Sequence, residues 1–512
     1  MSDAANQGVA CAATLPRAKN RDMFAFSASP DALAPGRRQK RNMSLFFGGD
    51  TMPTMTRRAH LAGLAGAAAA AALPRALTAQ TIAAPTPAVQ ISAETRAQAQ
   101  AAADAIPPKG IGNRIRHVSY SDVGGRPDTV QVMASRGHLY VGHMFSDGVT
   151  VLDARDPRAL KPVHYFATPY TRTHHLQVAG DYLLLANGAN LARSQSYDNS
   201  RDYFENTLAD SLAKREPFRA GLSIFDIAKN PAEPREIAFL EMPGIGVNRL
   251  WWTGGRYAYV SAHFDGFTDH VLCIVDVQDI TKPRIVSQWW LPGMHRAAGE
   301  TPTNPPGKRY ALHHMIVAGD LGYGAWRDGG FTIHDLRDAS ACKLLSHLNW
   351  SPPYPGGTHT PLPLPSRGLA IVADESNADF CAKGTFYTWV VDVRAAEKPV
   401  PIATFPTPAG RDFCAMGNFG PHNLHENRPG SFVSEETIFA TYHDAGVRVF
   451  DVRDERAPRE IASWIPPVPA KMIDPRPNVA RCALTCDCYV APDGLMYVTD
   501  WNGGLHVLQY EG

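Results

Sequence analysis

The chain has 512 residues, and its 50 basic and 49 acidic side chains leave a net charge of +1 at pH 7. This balance offers no electrostatic basis for binding nucleic acid or another polyanion. The 42 glycines and 41 prolines favour a loop-rich all-β protein, and no apolar stretch of about 20 residues follows residue 80, so we expect no membrane span in the mature chain.

The N-terminal region carries the features of an export signal. Within residues 55–80, the pair Arg57 and Arg58 precedes a weakly apolar run through Ala67–Ala72 and small residues near Ala79. This order of features is that of a twin-arginine-type signal peptide. It predicts a periplasmic or secreted protein, and the alternative interpretation is an amphipathic surface tail.

The segments on either side of the signal are interpreted by composition. Residues 1–54 are an over-long gene start or a disordered leader. Residues 81–112 are rich in Ala, Pro, Gln and Thr, which is typical of a linker. The remaining residues, 113–512, form the predicted folded domain.

This domain repeats one phrase, a short apolar run ending in aspartate, at intervals of 50 to 73 residues. Such a period indicates stacked supersecondary units, and the strand and turn signals within each unit predict four antiparallel strands. The sequence therefore predicts an all-β fold, a seven-bladed β-propeller, in which residues 114–120 supply the outer strand that the last blade lacks. The copies are Val151–Asp153, Ile224–Asp226, Ile274–Asp276, Ile333–Asp335, Val390–Asp392, Val449–Asp451 and a degenerate Val507–Gln509.

The repeated phrase resembles the LVIVD repeat of secreted bacterial propellers, and the resemblance covers about residues 113–512. It implies the fold and little chemistry, because propellers carry many unrelated functions. The repeated aspartates are expected to be structural, since an aspartate at a strand end accepts local backbone N–H bonds and shapes a turn.

Cysteines contribute a second pattern. The chain has eight, and loss of Cys11 with the leader leaves seven, so in an oxidising compartment some should pair and at least one should stay free. Cys482, Cys486 and Cys488 form a C-x3-C-x-C group. We interpret this group as disulfide-bonded or buried thiols in preference to a thiolate site for copper or zinc.

Histidines cluster at the predicted starts of first strands and ends of second strands, which open on one face of a propeller. Neutral imidazole is the commonest ligand for Zn, Cu, Fe and Ni, so this channel mouth is a candidate metal site, with copper or iron favoured and zinc or manganese as alternatives. Adjacent histidines on a strand face opposite sides, so only one of each pair can point inward. Aligning the turns at residues 180–181 and 319–320 places His175 and His314 in the same register. The predicted ligands are His175, His314, His359, His422 and His425.

Four further residues are predicted to act on substrate. Arg249 and Asp487 occupy the equivalent position in blades that have no histidine there, where they could bind a substrate carboxylate or tune a ligand. His263 and His443 lie at second-strand ends on the same face, where the acidic residues Asp374, Glu375 and Asp444 leave a calcium-type site as a weaker alternative. A structural alternative is that these groups simply bond backbone carbonyls and water.

Long loops open on the same face, which is where binding usually occurs on a rigid scaffold. The longest, residues 188–220, contains a predicted helix near Tyr203–Lys214. We expect a small-molecule substrate at this face, and the 188–220 insertion is a candidate contact for a homo-oligomer.

Two resemblances at the level of fold favour redox chemistry. Carotenoid-cleaving oxygenases hold iron with four histidines on a propeller axis, and selenium-binding proteins that act as methanethiol oxidases are similar metal-using propellers. The predicted function is a metal-dependent oxidoreductase acting on a small molecule. The alternatives are a non-catalytic binding propeller and a metal-dependent hydrolase or lyase. Convergence of three or four ligand atoms on one point would favour the metal-dependent enzymes over the binding propeller.

Overall fold

A computed structural model describes residues 91–190, 217–475 and 479–512. The predicted leader and signal peptide lie outside the described residues, as does the helix predicted near Tyr203–Lys214. Within the described ranges the secondary structure is almost entirely β-strand, which confirms the all-β prediction. None of the helices there is long and apolar enough to cross a membrane.

The strands form antiparallel meanders, in which most strands pair with the next one along the chain. In the N-terminal half the strands are β1 (Ile111–Asn113), β2 (Ile115–Ser121), β3 (Thr129–Ser135), β4 (His138–His143), β5 (Gly148–Asp153), β6 (Lys161–Ala167), β7 (Thr171–Arg172), β8 (Leu176–Ala179), β9 (Tyr182–Ala189), β10 (Gly221–Asp226), β11 (Arg235–Glu241), β12 (Gly246–Trp251), β13 (Tyr257–His263), β14 (Val271–Asp276) and β15 (Arg284–Trp289).

The C-terminal half continues the pattern, with short helices among the loops. The strands are β16 (Tyr310–Ala318), β17 (Leu321–Arg327), β18 (Phe331–Asp335), β19 (Lys343–Leu348), β20 (Thr358–Leu364), β21 (Leu369–Asp374), β22 (Thr388–Asp392), β23 (Val400–Thr404), β24 (Thr437–Thr441), β25 (Val447–Asp451), β26 (Arg459–Ile465), β27 (Thr485–Val490), β28 (Leu495–Asp500) and β29 (Gly504–Tyr510). The α-helices of the described residues are α1 (Ala93–Asp104), before the first strand, and α2 (Phe413–Met416), after β23. The 3-10 turns are Arg296–Ala298, Ala339–Ala341, Pro365–Arg367 and Asp379–Cys381.

The first strands of successive meanders surround a common axis. Strands β27, β3, β8, β12, β16 and β20 contact one another in this order, and residues 422–428 lie inside β24, where Leu424 bridges Ala440. Arg249 on β12 reaches across the axis, and its Nη1 donates to Asn423 Oδ1 at 2.6 Å. Antiparallel meanders arranged around an axis are the architecture of a β-propeller.

N-terminal residues close two of the sheets. Strand β2 pairs with the C-terminal strand β29 from Ile115↔Tyr510 to Ser121↔Leu505, which confirms the predicted closing strand within one residue. The short strand β1 pairs with β26, a contact that we did not predict. Both pairings cover edges that would otherwise present unpaired backbone groups.

Part of the predicted linker is instead a helix. Helix α1 begins after Ser92, whose hydroxyl accepts the Thr95 N–H at 3.0 Å, and its Ala99 and Ala103 are buried against the cluster that contains α2. Composition alone predicted a linker at 81–112, because alanine and glutamine are common in linkers as well as in helices. The small residues spaced by four positions form the apolar stripe that docks the helix.

The repeated aspartates are structural, as predicted. In the six copies that end in aspartate, a carboxylate oxygen accepts the backbone N–H two residues later, which shapes the turn into the next strand. Several of these aspartates also pair with the side chain of an arginine at that position. Bonds of this kind lower the pKa of the Asp335 carboxyl to about 2. The bonds run from Arg155 to Asp153, Ala228 to Asp226, Gln278 to Asp276, Arg337 to Asp335, Arg394 to Asp392 and Arg453 to Asp451.

The cysteines in the described ranges divide into a crosslink and free thiols. Cys381 and Cys414 form a disulfide. Cys482, Cys486 and Cys488 are free and buried, and burial raises the pKa of each thiol, so that they stay protonated at neutral pH. This agrees with the interpretation as buried thiols, because metal sites require the thiolate.

Candidate metal centre

Two histidines and a glutamate converge at the channel. His359 is the second residue of β20, Glu375 follows the last residue of β21, and His422 is the first residue of the inner segment 422–428. One ligand atom of each lies within 4.8 Å of the other two, and all three residues are buried. The Nε2 atoms of His359 and His422 lie 3.7 Å and 3.5 Å from the two oxygens of the Glu375 carboxylate.

Hydrogen bonds fix the tautomers of both imidazoles. His422 Nδ1 lies 2.6 Å from the Cys486 carbonyl oxygen, which can only accept, so Nδ1 carries the proton. His359 Nδ1 lies 2.9 Å from Thr360 Oγ1, and this hydroxyl gives its own proton to Asn423 Oδ1 at 2.9 Å. Each Nε2 therefore carries a lone pair that faces Glu375, as a metal ligand requires.

Asn423 connects the supports of the two histidines. Its Oδ1 accepts from Thr360 and from Arg249 Nη1, and its Nδ2 donates to the Cys486 carbonyl at 2.8 Å. That carbonyl is the one that holds His422. The side-chain amide, which is fully buried, thus orients both imidazoles through one intermediate group each.

The electrostatics of the site favour neutral imidazoles, and the carboxylate beside them pairs with a cation. Burial lowers the pKa of His359 and His422 well below 6.5, and the neighbouring cations and imidazoles act in the same direction. Glu375 is in contact with the Arg327 guanidinium, a cation that compensates the buried carboxylate. Arg327 holds a left-handed backbone, with φ of +52°, which is uncommon for a residue other than glycine.

A row of imidazoles extends from this triad in both directions. The rings of His313 and His359 stack with centroids 3.5 Å apart, and those of His359 and His422 lie 4.4 Å apart. His443 lies 4.9 Å beyond His422, and His175 lies 6.3 Å beyond His313. The site therefore lies among neutral aromatic nitrogens, away from bulk water.

The structure brings together only some of the predicted ligands. His359 and His422 belong to the triad. His175 and His314 occupy equivalent positions, as predicted, since they lie opposite Ala186 and Ala325; neither belongs to the triad. His175 Nδ1 lies 3.2 Å from Gln131 Oε1 and His314 Nε2 lies 3.6 Å from Glu426 Oε1.

His425 is held by the backbone. Its Nε2 lies 2.9 Å from the Phe432 carbonyl oxygen, and its Nδ1 accepts the Val490 N–H at 3.3 Å. Because a bound metal needs a free lone pair, this arrangement gives His425 a structural role. In the next unit the ring of His313 stacks on His359 of the triad. The turn-based alignment had instead selected its neighbour His314.

The four residues predicted to act on substrate separate into three places. Arg249 and Asp487 are buried near Glu426, where Arg249 Nη2 donates to Glu426 Oε1 at 2.8 Å, and burial raises the pKa of Asp487 to about 8. His443 flanks the triad. His263 lies elsewhere, with its Nδ1 accepting the Ile245 N–H at 3.1 Å.

Sequence reasoning weighed Glu375 only as part of a calcium-type site and did not single out Asn423, Thr360 or Arg327. The signal for Glu375 was its place directly after a second strand, the position that supplied His143, His263 and His443 in other units. Nothing in the sequence marked Asn423, because its role depends on contacts with strands distant in the chain.

Comparison with known proteins identifies no family for this chain. No family model matches the chain, and no curated protein matches it, so the LVIVD resemblance stays a prediction. Solved structures that resemble it include the β-propeller domain of Cps50 (Swd1) from Myceliophteria thermophila, at 12% identity and a TM-score of 0.46 over 75% of this chain and 97% of that one. The periplasmic gluconolactonase PpgL of Pseudomonas aeruginosa has 13% identity and a TM-score of 0.47 over 72% and 95% of the two chains. Sqt1 from Chaetomium thermophilum has 14% identity and a TM-score of 0.42 over 76% and 86%.

Proposed function

We propose that this chain is an exported propeller enzyme that binds one divalent transition metal ion through His359, Glu375 and His422 and acts on a small molecule. The observation that carries this proposal is the convergence of two imidazole lone pairs and one carboxylate in a buried site. Burial of a carboxylate is costly unless a cation or donors compensate it. A metal ion at this point would satisfy all three groups together.

The donor set bears on which metal is bound. Two histidines and one carboxylate with open positions are typical of non-haem Fe(II) oxygenases, and the same set occurs at catalytic zinc. Copper, which an all-histidine site would suit, fits less well once a carboxylate is a ligand. We therefore propose iron first, with oxidoreductase chemistry, and zinc or manganese second; the bound ion would supply Lewis acidity and, with iron, electron transfer.

Neighbouring residues of the chain would orient the substrate. His313 Nδ1 donates to the His359 carbonyl oxygen at 3.0 Å, so its Nε2 is an acceptor beside the triad. Trp501 places its ring edge-on, 6.1 Å from that of His422. A small molecule with a hydroxyl or N–H donor would find an acceptor and an apolar face next to the metal position.

Two other functions have specific support. A hydrolase would use the same His359, Glu375 and His422 set to activate a bound water. A non-catalytic binding module is favoured by the contact of Arg327 with Glu375, because this ion pair compensates the carboxylate without a metal. The metal content of the protein separates this module from the two enzymes.

Three wider features belong to the same proposal. We propose that the meanders are seven blades, each of four strands, with residues 422–428 as the innermost strand of the sixth. We also propose export by the twin-arginine-type signal to the periplasm or the medium. A homo-oligomer contact through the 188–220 insertion stays a prediction, since residues 191–216 lie outside the described ranges.

The test is metal content by plasma mass spectrometry on the exported protein and two variants. We expect near-stoichiometric iron or zinc in the wild-type chain and loss of metal in His359→Ala/His422→Ala. His425→Gln is the matched control, because this histidine is equally buried in the same segment, and we expect it to retain metal. A folded wild-type protein that neither contains metal nor takes it up would refute the enzyme and support the binding module.

A further inference from the structure

A disulfide joins the two loops that carry ligands of the candidate metal centre. Cys381 follows Glu375 by six residues in the loop between β21 and β22, and Cys414 precedes His422 by eight residues in the loop after β23. The bridge links residues 33 positions apart. The loops thus leave the metal position from two neighbouring sheet units and meet again at the crosslink.

Backbone bonds connect the same loops between the ligands and the crosslink. The Ser376 N–H, next to Glu375, donates to the Pro421 carbonyl at 3.0 Å, next to His422. Farther out, the Phe380 N–H donates to the Gly417 carbonyl at 2.6 Å. Glu375 and His422 are therefore the inner end of a two-loop ladder whose outer end is the disulfide.

The outer end of this ladder adopts a conformation that needs support. Phe380 and Cys381 both have left-handed backbones, with φ of +53° and +52°, which two successive residues other than glycine rarely adopt. Such conformations persist where the surroundings over-determine them. Here the support consists of the disulfide, the bond to Gly417 and the Arg96 guanidinium of α1, 4.2 Å from the Phe380 ring centroid.

We propose that Cys381 and Cys414 are positioning residues for the metal centre, and that reduction of their disulfide weakens metal binding while the propeller stays folded. This inference rests on the proposed function. Both cysteines are half-buried, so a small dithiol can reach the bridge. In the reaction the S–S bond breaks, two thiols form, and the two electrons and two protons come from the dithiol, which becomes a disulfide.

The expected size follows from the role of supports around metal ligands. Loss of groups that orient ligands typically weakens metal binding by about 10- to 100-fold. Reduction frees the loops to leave the left-handed conformation at Phe380 and Cys381, and Glu375 then loses its fixed distance to His422. His359 lies on β20 outside both loops, so the effect should fall on two of the three ligands.

The experiment compares Co²⁺ affinity in oxidised and reduced protein by the visible absorption of bound cobalt. The wild-type mature chain is treated with dithiothreitol, freed of it under argon and titrated, and a portion is reoxidised and titrated again. Cys381→Ser/Cys414→Ser provides the genetic equivalent. Cys342→Ser receives the same reduction as a control for a free, half-buried thiol, and His359→Ala/His422→Ala, in both redox states, measures cobalt bound elsewhere.

We expect cobalt to bind about 10- to 100-fold more weakly to the reduced chain and to the double serine variant, with recovery on reoxidation of the wild type and unchanged far-UV circular dichroism. Equal affinity in the two redox states would overturn this inference and leave the proposed function intact. Weaker binding that comes only with global unfolding would also overturn it. An oxidised chain that binds no cobalt at the triad would overturn both.

Discussion

Replacing Asn423 by alanine tests whether one buried amide orients both histidine ligands. The change removes the acceptor of Arg249 Nη1 and of the Thr360 hydroxyl, and the donor to the Cys486 carbonyl. His359 and His422 remain in the chain with their own atoms intact. Any loss of metal binding would then come from their orientation.

The magnitude follows from the groups left without partners. A buried donor or acceptor that loses its partner costs about 1–3 kcal/mol, and more when it is charged, and Asn423 serves one cation, one hydroxyl and one carbonyl. Relaxation lets some of these find other partners, so we expect the free energy of unfolding to fall by about 3 kcal/mol or more. Metal affinity should fall by about 10- to 100-fold, as for other groups that orient ligands.

Asn427→Ala is the matched control, measured by denaturant unfolding and Co²⁺ titration. Asn427 also makes two amide hydrogen bonds, to the N–H and carbonyl of Ser434 at 3.1 Å and 2.8 Å, but these are away from the triad. We expect Asn427→Ala to lower stability and to bind cobalt like the wild-type chain. An Asn423→Ala protein that binds cobalt as tightly as the wild type would refute the reasoning.

Three other changes give distinct readouts. Burial raises the pKa of folded Asp487 from 3.8 to about 8, so the folded chain keeps a proton that the unfolded chain releases. The contribution of this group to stability should therefore fall as pH rises from about 4 to about 8, by roughly 6 kcal/mol at most. Asp487→Asn should flatten this slope in denaturant titrations, and an unchanged slope would contradict the assignment. Arg327→Gln should destabilise the metal-free chain by about 3 kcal/mol, since Glu375 loses its cation. Zinc should then raise the melting temperature of this variant more than that of the wild type, and an equal rise in both would count against competition between Arg327 and metal. Deleting residues 111–121 should expose the edge of β29 and cause aggregation, which light scattering measures, and a monodisperse, stable product would contradict the closure.

The fold was largely predictable because its signals are local and repeated. Each unit restates the same strand and turn pattern, and the aspartate that ends the repeat, such as Asp335, acts within two residues of itself. The closing strand was predictable by elimination, because the last unit lacked a strand. Helix α1 was not, since its small apolar stripe becomes recognisable only where it docks.

The candidate site was predictable by residue type and face, and less so by residue number. His359 and His422 were among the predicted ligands, but turn-based alignment favoured His314 over His313. The pairing register of these strands shifts at this point: on β16 the shift lies between Tyr310 and His314, and on β20 between Thr358 and Thr360. A bulge changes which side a residue faces, so simple alternation failed where the ligands lie.

Anomalous X-ray diffraction from crystals grown with the bound metal tests the central claim most directly. The account predicts one peak at the metal edge, about 2.0–2.2 Å from His359 Nε2, His422 Nε2 and a Glu375 oxygen, with the Arg327 guanidinium displaced from the carboxylate. A map without a peak at this position, in which Arg327 still contacts Glu375, would contradict the metal centre and leave a propeller whose channel is held by a buried ion pair.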